Sequence, residues 1–203
     1  RAPAEPRNRG FSGDGCSAAC QDEESGLCAV DLDAVIIMDR SGSMGEDIPP
    51  RLAQAKTAAN SFLDKLRSSD QSALVSFSTS ANLDKQLSND HGLTKSFVSS
   101  LSADGATNIG DAINLGNEEH KSSRSNHSAL KIEILLTDGR ANKPNGSGSG
   151  EYPADVAYAE AKAAETASLG IKIFSIGLGS EVNQAMLQNI ASVTGGKYYF
   201  APT

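Results

Sequence analysis

The sequence predicts an α/β domain: a doubly wound, Rossmann-like and mainly parallel sheet with one antiparallel edge strand and helices on both faces. Three observations predict it. From residue 30 onward, apolar strand-like runs alternate with amphipathic helix-like stretches, the pattern of βαβ units. The first run, Asp31 to Asp39, is almost uniformly apolar inside, as a central strand covered on both faces must be. Two of the runs end in a carboxylate, Asp39 and Asp138, and in open parallel sheets ligands bind outside the carboxyl ends of the strands.

The elements follow in order. Residues 1–29 carry Pro3, Pro6 and several glycines with little hydrophobic periodicity, and read as a linker and a cysteine-bearing remnant. The folded domain is expected over 30–203. After the central strand, Leu52, Ala55, Ala59, Phe62, Leu63 and Leu66 recur with helical period, so a helix is expected from Pro50 to Arg67, entered through Pro49-Pro50. Ser72 to Thr79 is a second strand, and Asn82 to Ser88 a more exposed edge strand. A short helix spans Leu93 to Leu101. Asn108 is placed to cap the next helix, with Asp111 three residues on as a partial capping box. Leu130 to Thr137 is another buried strand. The Gly-Ser-Gly-Ser-Gly run at 146–150 reads as a flexible surface loop. A helix from Ala154 to Leu169 stops at Gly170, and Ile171–Leu178, Val182–Val193 and Lys197–Ala201 complete the domain as strand, helix and strand.

Composition narrows the function. The chain has 203 residues, enough for one substantial core and a small appendage. Its formal net charge of −7 argues against a nucleic-acid or anionic-membrane surface. No apolar stretch approaches the roughly 20 residues that span a bilayer, so no direct membrane insertion is expected. The chain begins with Arg1 and shows no signal peptide, which reads as a start downstream of the natural one. All three cysteines, Cys16, Cys20 and Cys28, lie in the first segment. A thiol-free core suits an extracellular or cell-surface protein. The odd count leaves two readings, a disulfide whose other partner lies outside the chain or a metal cluster. Zinc usually takes four Cys/His ligands, and the histidines lie far away, which favours disulfides.

The candidate site starts from Asp39-Arg40-Ser41-Gly42-Ser43. One carboxylate and two hydroxyls, two residues apart where a buried strand ends, suit a hard divalent cation that takes oxygen ligands and keeps some water. Asp138 should reach the same sheet edge, and so should Thr107 on the loop before the third helix. Two carboxylates in one crevice repel unless a cation or a proton sits between them. Any one such Ser or Asp would more often be a turn or cap residue; their joint occurrence points to a metal. His91, His120 and His127 sit among polar neighbours and read as solvated. Arg40 and Arg140 read as rim charges. No Gly-x-Ser-x-Gly nucleophile elbow surrounds Ser43.

These residues resemble the von Willebrand factor A domain with its metal-ion-dependent adhesion site. The likeness rests on Asp39-x-Ser41-x-Ser43, on Thr107 within Gly105-Ala106-Thr107-Asn108-Ile109-Gly110, and on Asp138 within Leu136-Thr137-Asp138-Gly139. It extends to Ala73-Leu74-Val75-Ser76-Phe77-Ser78 and Ile176-Gly177-Leu178-Gly179. The resemblance implies that Ser41 and Ser43 bind Mg²⁺, or Mn²⁺ or Ca²⁺, directly. Thr107, Asp39 and Asp138 would bind it directly or through water, and an Asp or Glu carboxylate of a partner protein would complete the shell. It implies a monomeric, non-enzymatic adhesion or interaction module on an extracellular protein of bacterial surface type. Gly13-Asp14-Gly15-Cys16-Ser17-Ala18-Ala19-Cys20 likewise resembles the end of a Cys-rich repeat of bacterial surface proteins. The family's terminal helix is expected to be missing, since the chain stops just after Tyr198-Tyr199-Phe200. Two other functions stay open at this point: a structural module whose metal ties loops together, and a hydrolase using metal-bound water.

Overall fold

The computed structural model describes residues 30–202. The linker, the cysteine-bearing remnant and the state of the three cysteines lie outside the described residues. Among the described residues, six strands and five α-helices follow one another as β1 (Leu32–Asp39), α1 (Arg51–Leu63), β2 (Gln71–Phe77), β3 (Ala81–Ser88), α2 (His91–Ser100), α3 (Ile109–Lys121), β4 (Leu130–Thr137), α4 (Pro153–Ser168), β5 (Lys172–Leu178), α5 (Gln184–Val193) and β6 (Tyr198–Ala201). The strands form one sheet in the order β3-β2-β1-β4-β5-β6, with β3 antiparallel to β2 and every other pairing parallel. This is the architecture the sequence predicts. Strand order reverses between β1 and β4, so the ligand crevice of such a sheet opens at their carboxyl ends.

β1 lies at the centre because its side chains serve two cores. Val35 and Ile37 face a layer with Ile109, Ile113, Ala163 and Leu187 from α3, α4 and α5. Ile36 and Met38 face the other, with Leu52, Ala59, Leu63 and Val98 from α1 and α2. Full burial of an aliphatic side chain contributes about 1.5–3 kcal/mol before entropy is counted. An alternating strand would have only one such face. Among the described residues, no helix is long and apolar enough to cross a membrane.

Local signals place the helix ends. Asp111 N–H donates to Asn108 Oδ1 at 3.2 Å, the expected N-cap of α3. The return arm differs from a capping box: Asn108 donates from its side-chain Nδ2 to Asp111 Oδ2 at 2.7 Å, because its backbone N–H already bonds Ser78 O. Tyr158 Oη donates to the other Asp111 oxygen and ties α4 to this corner. Asn108→Ala is therefore expected to cost about 1 kcal/mol or more, read as a lower urea midpoint at unchanged slope. α4 ends as predicted, with Gly170 at φ 72° and the bonds Gly170 N–H to Ala167 O and Ile171 N–H to Thr166 O of a left-handed helix stop.

Three expectations are corrected. α1 ends at Leu63, not Arg67, because the Arg67 N–H turns to the Asp70 carboxylate at 2.7 Å, and the other Asp70 oxygen accepts from Leu32 N–H at 2.9 Å. Leu66 still packs against the core beyond the helix. The 142–150 loop is tethered as well as glycine-rich: Asn145 N–H and Gly146 N–H both donate to the buried carboxylate of Asp155, in the first turn of α4. His120 is buried, not solvated; its Nε2 lies 3.2 Å from Ile132 O, and burial pushes its pKa down to about 4. His91 is also held, between Ser72 Oγ and Arg67 O, whereas His127 is exposed as expected.

Candidate metal centre

Each predicted ligand is positioned by an identifiable local cause. Asp39 is the last residue of β1 and is wholly buried. Its Oδ1 accepts from Ser41 N–H at 2.7 Å, so the carboxylate itself bends the chain out of the strand. Its Oδ2 accepts from Thr137 Oγ1 at 2.5 Å, across the β1–β4 pairing. A short 3₁₀ turn at Gly42–Gly45 then swings Ser43 back toward the sheet, with Met44 buried beneath it. Ser41 Oγ and Ser43 Oγ lie 3.2 Å apart, and Ser43 Oγ donates to Asp138 Oδ1 at 2.9 Å.

The second and third motifs meet the first through backbone bonds. Gly42 N–H donates to Gly105 O, and Asp104 N–H to Arg40 O, which clips the loop before α3 onto the β1 loop. Gly105 has φ 81°, and a β-carbon there would lie 2.7 Å from Thr79 Oγ1, so both conformation and space call for glycine. Thr107 is held by its N–H to Asn142 Oδ1 at 2.9 Å and by Asn142 N–H to Thr107 O. A β-carbon on Gly139 would stand 3.0 Å from Thr107 Oγ1 and 3.4 Å from Asp39 Oδ2. The side chains of all three motifs thus surround one small space. Ser41, Ser43, Thr107 and Asp138 also line an open cleft of about 320 Å³, with Arg51 and Arg140 on its wall.

The surroundings of Asp39 disfavour its charge. Burial, the largest effect, pushes the Asp39 carboxyl up to about 7; the Thr137 hydrogen bond pulls it down, the Asp138 charge pushes it further up, and the Ser41 bonds oppose that. Among the described residues, no three His, Cys, Asp or Glu side chains are placed to share a metal. A site of two carboxylates and three hydroxyls falls outside that pattern, and its oxygen-only donors suit a hard ion.

The sequence profile of the von Willebrand factor type A domain matches residues 33–203. The chain belongs to this family. Within it, the human inter-alpha-trypsin inhibitor heavy chain H4 is 28% identical over 180 residues, covering 84% of this chain and 18% of that one. This von Willebrand factor A domain thus spans under a fifth of the length of the curated relatives it matches. Among solved structures, a von Willebrand factor type A protein from Catenulispora acidiphila is 25% identical with a TM-score of 0.69, covering 86% of this chain and 39% of that one. The corresponding domain of the type V pili tip protein Mfa5 from Porphyromonas gingivalis shares the fold at a TM-score of 0.70 and 15% identity, over 87% of this chain and 91% of that one.

The domain's candidate site also contains residues that sequence reasoning missed. Arg51 donates from Nη1 to Asp138 Oδ2 at 2.8 Å and from Nε to Asp47 Oδ2 at 2.7 Å. Its signal was a cation in the first turn of a helix, where the dipole favours an anion. Thr137 and Asn142 hold Asp39 and Thr107 through contacts that no local pattern announces. Of the two predicted rim arginines, Arg140 is held by Glu181, through its carbonyl at 2.8 Å and its carboxylate at 3.3 Å.

Proposed function

We propose that this domain is a non-enzymatic, extracellular module that captures a protein partner through a divalent cation, Mg²⁺, Mn²⁺ or Ca²⁺, held by Asp39, Ser41, Ser43, Thr107 and Asp138. The observation that carries the reading is the convergence of these side chains beside an open cleft, with the Asp138 charge adding to the cost of charging the buried Asp39. The donor chemistry fits: Ser41, Ser43 and Thr107 present neutral hydroxyls, while Asp39 and Asp138 supply the anionic charge. A divalent ion there supplies an electrophilic position, left under-neutralised by hydroxyl ligands, for an Asp or Glu carboxylate of the partner. The extracellular setting is supported by the cysteine-free domain and the cysteines gathered ahead of it.

A loop-tying metal in a structural module is the competing reading. The loops already hold one another through Gly42–Gly105, Asp104–Arg40 and Asn142–Thr107 bonds, which favours capture over tying. Mn²⁺ separates the two, since the water it retains can be followed by proton relaxation. One Mn²⁺ is expected to bind with enhanced water relaxation, and the enhancement is expected to fall as acetate occupies the open position. Binding with no response to acetate would leave a loop-tying ion, and no Mn²⁺ binding would remove the site altogether.

A further inference from the structure

We infer that Arg51 is a built-in counter-cation of this site: shared between Asp138 and Asp47, it competes with the divalent ion for Asp138 and thereby sets the ion's affinity. The inference rests on the metal reading above and adds to it a residue outside the five predicted ligands.

The geometry is specific. Arg51 occupies the first position of α1, after Pro50, and that first turn contains no acidic residue. Its guanidinium spends one arm on each of two carboxylates, Nη1 on Asp138 and Nε on Asp47. The two differ sharply in solvation: the Asp138 side chain has no exposure, and that of Asp47 is 39% exposed. Asp47 also adopts φ 71°, an uncommon conformation for a residue with a β-carbon, and it thereby faces the arginine four residues ahead. The buried partner is the one shared with the candidate metal, because Asp138 presents Oδ1 to Ser43 and Oδ2 to Arg51.

Two consequences follow from Coulomb's law. Without a divalent ion, Arg51 supplies the positive charge that a buried Asp138 needs. With an ion in the cleft, a guanidinium on the cleft wall repels it and drains negative charge from one of its two anionic ligands. Asp47 offers the guanidinium a place to stay as it yields Asp138. Binding of the ion is therefore weakened, while the ion itself is left less neutralised toward an incoming carboxylate. The other cleft arginine, Arg140, is engaged by Glu181 and not by a ligand residue, so it does not share this role.

The test is a calorimetric titration of the domain with Mg²⁺ and with Mn²⁺ alone. Arg51→Gln is expected to tighten binding about tenfold, the scale of a screened repulsion between a unit charge and a divalent ion a few ångströms apart. Arg51→Lys keeps the charge and is expected to stay near wild type. Asp47→Asn leaves the guanidinium wholly on Asp138 and is expected to weaken binding, an effect that disappears in the Arg51→Gln background. A positioning role for Arg51 would give weaker, not tighter, binding on its removal. If wild type binds an ion and folded Arg51→Gln binds it no more tightly, the inference fails and the metal site stands. If wild type binds no ion, both fail. Should Arg51→Gln not fold in chelator, the exposed Asp47→Asn variant decides, and unchanged or tighter binding there overturns the proposal.

Discussion

Millimolar Mg²⁺ is expected to raise the melting temperature of the wild-type domain and to leave that of Asp39→Ala unmoved. A ligand that binds only the folded state stabilises it by about 2.7 kcal/mol at a hundred times its dissociation constant. For a domain of this size that corresponds to a rise of about 5–10 °C. Asp39 is the residue on which the effect should depend most, because its carboxylate is fully buried beside that of Asp138. Removing it takes away a proposed anionic ligand and also frees Ser41 N–H and Thr137 Oγ1, which shape the loop. The comparison is made within each variant, with ion and with chelator, so that any change in intrinsic stability drops out. An equal rise in Asp39→Ala would place the ion elsewhere on the protein.

The second large effect lies away from the site. Glu133→Gln is expected to stabilise the domain increasingly as pH rises, and to change little at pH 4. Glu133 projects from β4 into the layer under α3, wholly buried, with neither carboxylate oxygen hydrogen-bonded among the described residues. Gly116 makes room for it: a β-carbon there would stand 2.5 Å from Oε1. Burial alone holds its carboxyl well above the usual value of 4.5. The folded state therefore keeps the proton that the unfolded chain releases above about 4.5. Stability is fully present below that pH and falls as pH rises toward the folded pKa, by at most about 1.4 kcal/mol per pH unit. His120 acts in the opposite sense. It is neutral when folded and protonated when unfolded below 6.5, so it removes stability as pH falls from 6.5 toward about 4. The difference between wild type and Glu133→Gln isolates the carboxyl. Denaturant midpoints that stay parallel from pH 4 to pH 8 would show that Glu133 finds a partner or water in solution.

Much of the frame was legible residue by residue. β4 was read to its observed ends because a buried parallel strand is an apolar run with a sharp polar stop, here Thr137-Asp138-Gly139. The caps of α3 and α4 were legible because Asn108 and Gly170 act within a turn of their own positions. The end of α1 was not, since the apolar period continues to Leu66 while Asp70, a residue outside the pattern, takes the Arg67 N–H. His120 was misread because its sequence neighbours are polar, although it falls on the same helix face as Ile109, Ile113 and Gly116. The tether of the 142–150 loop was hidden for a similar reason. Its glycines suggest freedom, but the groups that bind it sit on Asp155, in the next helix.

By itself, then, the sequence determined the strand-helix alternation, the central place of β1, and the delivery of Asp39, Ser41, Ser43, Thr107 and Asp138 to one edge of the sheet. These follow from periodicities of two and 3.6 residues and from turns that close within a few positions. Only the tertiary structure decided which polar groups are neighbours: Arg51 against Asp138 across 87 positions, Thr137 against Asp39 across 98, and Glu133 against no partner among the described residues. The reason is physical. Hydrophobic burial is non-directional and can be read from pattern, whereas an ion pair or hydrogen bond exists only at contact and in a given degree of burial. Both are settled when strand order brings distant loops to the same edge.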